Sequence, residues 1–406
     1  MTRSLPALAL LLAAALPAAA GPIAVAGGKT DQTNVVVTAP LPAGGAAAPN
    51  AVTLPDGTHV PAQVVKPALL PADAKADALV FVLPKLKAGE TLTVTPTTLN
   101  HMTPPPQFKF VAEKGRHTDL LFDGRPVLQY FHPAHDPADH FFTFKPFHHV
   151  YDPATGKTLL TNGSAKTPKD GTFPHHRGLF YGWNKIAYDG KTADIWHGSK
   201  NVFARHDKVL SEEAGQVLGR QRAAISWHGE DGAAFATEAR ELTAYAVPGG
   251  TLIDFASVLT TDRPSVKLDG DPQHAGFHFR ANMEVATKTA KQTYYLRPDG
   301  KGKPGETRNW PGQKDHVDLP WDAASFVVGG ARYTVLRVSH PDNPKEARGS
   351  ERDYGRFGDY FAYELTPAKP LEVKYRVWVQ EGEMTVAQAT AVAEAFTAPP
   401  AAKGGK

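Results

Sequence analysis

The run His274-Ala-Gly-Phe-His-Phe-Arg-Ala-Asn-Met-Glu284 decides the fold class, because its two sets of positions separate by chemistry. Even positions hold His274, Gly276, His278, Arg280, Asn282 and Glu284; odd positions hold Ala275, Phe277, Phe279, Ala281 and Met283. Side chains of a strand alternate faces, so a period of two reads as β, with Phe277, Phe279 and Met283 on a core face. A solvated face ordinarily carries Thr, Lys, Ser and Glu. Two histidines with an arginine, an asparagine and a glutamate fit a polar cleft better; a plain surface strand is the alternative.

Working upstream, Phe173-Pro-His-His-Arg-Gly-Leu-Phe-Tyr-Gly-Trp183 has the same chemistry at a loop-to-strand junction. Pro174 fixes a turn-like backbone, Gly178 frees the chain after the basic triplet, and Leu179-Phe180-Tyr181 begins a strand. Donor-rich, titratable clusters at such junctions are where sites are often built.

The same period of two recurs along the chain. Turns fall at Asp123-Gly124, Gly229 to Gly232, Pro248-Gly-Gly250 and Gly329-Gly330. Helical periodicity is confined to Thr385–Phe396, rich in alanine. Many strands without intervening helices predict an all-β chain: a large antiparallel β-sandwich over residues 109–396, ending in one short C-terminal helix. Residues 22–108 read as a separate small β-sandwich-like domain, with strands at Thr33–Thr38, Ala78–Leu83 and Thr91–Thr95, joined through the stiff Met102-Thr-Pro-Pro-Pro106. Residues 397–406 read as a disordered tail.

Residues 1–20 read as a signal peptide: Arg3, an apolar Leu5–Leu16 and an Ala18-Ala19-Ala20 cleavage site. A periplasmic or secreted protein is expected, and no later run is apolar for long enough to insert into a membrane. The 406 residues carry a net charge of only +3, without the basic stripe of a nucleic-acid binder. There is no cysteine, which removes disulfides, thiolate metal sites and cysteine catalysis. The 17 histidines are the unusual feature.

His148-His149 and His175-His176 are pairs, of which one member each should face a common pocket if both lie on strands. Ser350-Glu-Arg-Asp-Tyr-Gly-Arg-Phe-Gly358 offers Arg352, Tyr354 and Arg356 as donors, or a salt-bridged loop holding the sheet together. Trp183, Trp196 and Trp321 could stack on sugar rings or simply fill the core. Glu238 and Glu241 have opposite parity, so only one could enter a cleft. Imidazoles suit a divalent transition metal, although no helical His-Glu-x-x-His motif is present and the ligand set cannot be read from spacing. Phosphate loops, dinucleotide fingerprints and nucleophile elbows are absent.

Five blocks carry a resemblance: Lys145–Pro153, Pro174–Trp183, Asp194–Gly198, His274–Ala281 and Arg352–Gly358. Together they resemble a large family of exported bacterial proteins labelled "methane oxygenase PmoA", over about residues 117 to 382. The resemblance implies a β-rich domain similar to the galactose-mutarotase supersandwich, from organisms that degrade polysaccharides. It implies a carbohydrate ligand and a cleft holding His149, His175, His176, Arg177, His274, His278, Arg280 and Glu284. In that expectation His175, His176, His278 and Glu284 are catalytic. His149, Arg177, His274, Arg280, Arg352, Tyr354, Arg356 and Trp183 bind substrate. Three functions stay open: a lyase or hydrolase acting on a glycan, a metal-dependent oxidoreductase using the same histidines, and a non-catalytic glycan-binding protein.

Overall fold

A computed structural model describes residues 21–41, 48–100 and 103–404. The expected signal peptide and the first residue of the proline linker lie outside them. The fold is all-β, with every strand pair antiparallel.

Among the described residues, two nine-stranded sheets and one four-stranded sheet built around Lys185–Tyr188 and Val266–Asp269 make up the large unit. At the centre of the first, Gly178–Trp183 lies between Phe147–Val150 and Ala275–Arg280, and the latter pairs onward with Arg356–Tyr360. The second centres on Ala234–Tyr245, Thr251–Thr260 and Leu371–Glu381. Phe277 of the first sheet meets Phe255 and Tyr375 of the second, each at 4.5 Å between ring centroids. Burying one such ring contributes about 1.5–3 kcal/mol. Phe279 and Phe277 thus face the core, as the alternation predicts. The hairpin turn at Asp123-Gly124 has φ of 50° and 78°, the left-handed pair that matches strand twist.

Three expectations change. The polar face of the His274 run is buried too: the whole strand Ala275–Arg280 is inaccessible. The strand also ends at Arg280, because Asn282 turns away, bonding the Leu159 carbonyl and capping Glu284 N–H. Met283 accordingly sits beside the Arg280 guanidinium and Gly171, not on the core face.

The small domain is a seven-stranded sheet enclosing its own core of Val35, Val37, Leu79, Phe81 and Val94. Its first strand, Ile23–Ala26, pairs with Ala401–Gly404, so this part of the expected disordered tail is an ordered edge strand. Alternation at Ala401–Gly404 is too short and too bland to read, and only the partner strand creates it. The domain docks on the large unit through Gln63, whose side-chain oxygen accepts the N–H groups of Val217 and Leu218. The helix Val386–Thr397 forms where expected, with a Thr385–Gln388 capping box. Short helical turns at Pro137–Thr143 and Val285–Gln292 add to it. Among the described residues no helix is long and apolar enough to cross a membrane.

Candidate functional site

The site is built on the face of the first sheet opposite the core. Register places Gly178, Arg280 and Arg356 in one row and Phe180, His278 and Gly358 in the next. One glycine in each makes these rows possible. A Cβ on Gly178 would stand 2.1 Å from the His148 carbonyl oxygen, and its φ is +53°. A Cβ on Gly358 would stand 2.4 Å from the His278 ring, which lies across that strand.

The Phe173–Arg177 turn folds back over this face, so the His176 ring stacks 5.9 Å from Phe180. Strand parity does not govern a turn, and both members of this pair therefore enter one cluster, with rings 4.2 Å apart. His274, from the other end of the neighbouring strand, completes it. One ring nitrogen each of His175, His176 and His274 lies within 4.8 Å of the others. His197 borders the group, 4.5 Å from His175 and 5.0 Å from His274 between ring centroids.

Two of these rings are held by the same local device, Asp-x-x-His. His197 Nδ1–H donates to Asp194 (2.8 Å), which also accepts the His197 backbone N–H. His274 Nδ1–H donates to Asp271 (2.9 Å), which also accepts Gln273 N–H. A carboxylate only accepts, so in each neutral ring Nε2 keeps the lone pair. Burial opposes ionisation of Asp271, but hydrogen bonds from His274, Gln273 and Asn184 outweigh it and hold the carboxyl at about 2.

His176 is 1% exposed, and neither of its ring nitrogens has a partner among the described residues. Burial, reinforced by His175 and Arg356, holds it neutral well below the ordinary histidine range. His175 is pushed down to about 2 by burial and then by His197. Phe173 lies over the group, stacked on His176 at 5.8 Å and against Tyr354 at 5.1 Å. It remains 47% exposed and adopts φ +51°, a left-handed backbone rare for a bulky residue.

Beneath the imidazoles lie four buried cations. Lys145 donates to the Trp196 carbonyl (2.7 Å) between the Phe144, Phe180 and Trp196 rings. Arg177 donates to the Phe141 and Phe142 carbonyls, and Arg280 to the Tyr354 and Thr172 carbonyls. Arg356 donates to His278 Nδ1 at 3.3 Å. None of the four is ion-paired with a carboxylate among the described residues. Buried arginines elsewhere are: Arg240 with Glu238, Arg297 with Glu351, and Arg337 with Asp322 and Asp359. Burial lowers Arg177 to about 9 and Arg280 to about 10, and takes Lys145 well below the usual amine range.

The expected site residues therefore divide. His175, His176, His274 and Tyr354 meet at the cluster, with Arg177, Arg280 and Arg356 behind them. Arg352 pairs directly across from Arg356. His278 is fully buried and donates Nε2–H to the Ala275 carbonyl, so its remaining nitrogen serves Arg356. His149 stands instead with Phe131 and Phe147, bonded to Thr161. Glu284 lies beyond the strand, where its carboxylate accepts Gly329 N–H. Trp183 is in the core between the sheets, its indole N–H on the Phe361 carbonyl. His197, Asp194, Asp271 and Lys145 were not expected; the repeated Asp-x-x-His spacing is the sequence signal that marks the first three.

No curated protein matches the chain. Among solved structures it is similar to an α-mannosidase from Enterococcus faecalis V583 (10% identity, TM-score 0.45, covering 96% of this chain and 46% of that one). It is also similar to a glycosyl hydrolase family 38 protein from Enterococcus faecalis (10%, 0.44, 96% and 48%). A galactose mutarotase related enzyme from Lactobacillus acidophilus matches over 68% of this chain and 98% of its own (10%, 0.29). The chain spans about half the length of the two Enterococcus structures, and at these scores the likeness assigns it no activity. Residues 117–394 match a family of unknown function (DUF6807), and the chain belongs to that family.

Proposed function

We propose that the chain is an exported carbohydrate-active enzyme, a lyase or hydrolase whose substrate is an acidic glycan or sugar acid. The observation that carries this reading is the set of three buried arginines and Lys145, none with a carboxylate partner among the described residues, lying under a group of imidazoles of which His197 and His274 are partly exposed. A buried charge is costly unless paired, and an anionic group on the substrate is the missing complement. Arg280 and Arg177 then neutralise charge on a sugar carboxylate or on an oxygen that gains charge during the reaction. The His197–Asp194 pair supplies the proton transfer: the carboxylate fixes Nδ1–H and leaves Nε2 free for substrate. Phe173 offers an exposed aromatic face for a sugar ring. Export rests on the charge and apolar pattern of residues 1–20.

The test is a product screen against matched acidic and neutral glycans, reading new double bonds and new reducing ends. Turnover of acidic substrates is expected. It should fall by about 10²-fold or more in His197→Gln. Phe173→Ala should mainly raise KM, by about 3- to 10-fold. Turnover of neutral glycans alone, or saturable glycan binding with no product, overturns the proposal; the second outcome would leave a binding protein.

A further inference from the structure

We infer that His175, His176 and His274 form a binding site for one divalent transition-metal ion of the zinc type, with an open coordination position bordered by His197. The inference concerns the pocket of the proposed function but does not depend on its substrate. Three separate observations carry it.

The first is proximity. The three ring nitrogens lie within 4.8 Å of one another. Nitrogens on a tetrahedral zinc at about 2.1 Å stand about 3.4 Å apart, so ring rotations of about an ångström close the triad.

The second is the lack of any other partner. Both nitrogens of His176 are buried and unbonded among the described residues, as is Nε2 of His175. Leaving a buried polar atom unsatisfied costs about 1–3 kcal/mol, and an ion here would satisfy His175 Nε2 and one nitrogen of His176. A histidine kept for packing would gain stability as phenylalanine; a metal bond uses the nitrogen.

The third is orientation. Asp271 fixes the His274 tautomer through Nδ1–H and leaves Nε2 with a free lone pair. A carboxylate on the far nitrogen of a ligating histidine is the usual second layer of a metal site. Asp271 and Asp194 also supply negative charge near an ion that would otherwise face Lys145 and Arg177. Three neutral imidazoles with no thiolate select zinc, copper, iron or nickel over magnesium or calcium, and the open position accepts a substrate oxygen or water.

The experiment is titration of the untagged, metal-stripped protein with Zn2+ by calorimetry, together with the ligand-field spectrum after loading with Co2+. One equivalent per chain and a four-coordinate cobalt spectrum are expected. His274→Ala and His176→Ala should abolish both. His59→Gln, in the small domain, should change neither. If His176→Ala does not fold, Asp271→Asn decides, because the ligands remain and affinity should still fall by about 10- to 100-fold. No stoichiometric binding, or binding unaffected by His274→Ala and Asp271→Asn, overturns the inference. Metal binding without turnover of acidic glycans would sustain this site and remove the proposed function; turnover of acidic glycans by a protein that binds no stoichiometric metal would do the reverse.

Discussion

His149 makes a sharp test of how the sheet handles its imidazoles. It is 6% exposed and lies between the rings of Phe131 and Phe147. Thr161 Oγ accepts the Val150 N–H, so its hydroxyl hydrogen is free to point to His149 Nδ1, which accepts at 3.0 Å. Burial, and then Arg177, lowers the His149 value from 6.5 to about 3. The unfolded chain therefore takes up a proton that the folded chain refuses. The contribution to stability is complete above pH 6.5 and is lost as pH falls from there towards 3. With one pKa unit worth about 1.4 kcal/mol, this residue alone removes about 2.5 kcal/mol between pH 7 and pH 4.5. In His149→Gln the side-chain oxygen can still accept from Thr161, but nothing titrates. The variant should lose about 1–2 kcal/mol at pH 7. On acidification it should then fall about 2.5 kcal/mol less than the parent. Urea unfolding followed by tryptophan fluorescence reads this directly, since all six tryptophans lie in the large unit. Other buried histidines acidify both proteins equally, so only the difference matters. Parallel losses in parent and variant would refute the reasoning.

Two further outcomes are expected from the same structure. Arg240→Met strands Glu238, 2% exposed and bonded to Arg240, Trp227 and Ser257, and should cost about 3–5 kcal/mol in thermal or urea unfolding, most of it recovered in Arg240→Met/Glu238→Leu; an unrecovered double variant would show that packing, not charge, was lost. Gly178→Ala places a methyl 2.1 Å from the His148 carbonyl and should abolish soluble folded protein, whereas Gly190→Ala, at φ +73° with open space around it, should cost about 1 kcal/mol; equal effects at the two positions would dismiss the close approach of strands as the reason for Gly178.

The sequence by itself determined the β character and the C-terminal helix, because alternation, turn glycines and helical periodicity are local. It also marked the Phe173–Trp183 block, since histidines beside arginine between Pro174 and Gly178 are unusual at any burial. It placed Phe277 and Phe279 on the core face correctly. What it could not contain was depth. A period of two separates faces but does not say that a second layer covers the polar one, so Arg280 and His278 read as cleft-exposed although both are fully buried. Nor does spacing tell a strand from a turn: His175 and His176 share one cluster because the chain folds back at Phe173, while His148 and His149, on a true strand, part to opposite faces. Glu284 left the expected row when Asn282 bonded Leu159, more than a hundred residues away in the chain. The convergence of His197 and His274 on the His175–His176 turn, and the gathering of Lys145, Arg177, Arg280 and Arg356 beneath it, depend on strand order in the sheet. Tertiary structure decided these, because contacts between distant segments are fixed by packing two sheets together and by no local pattern.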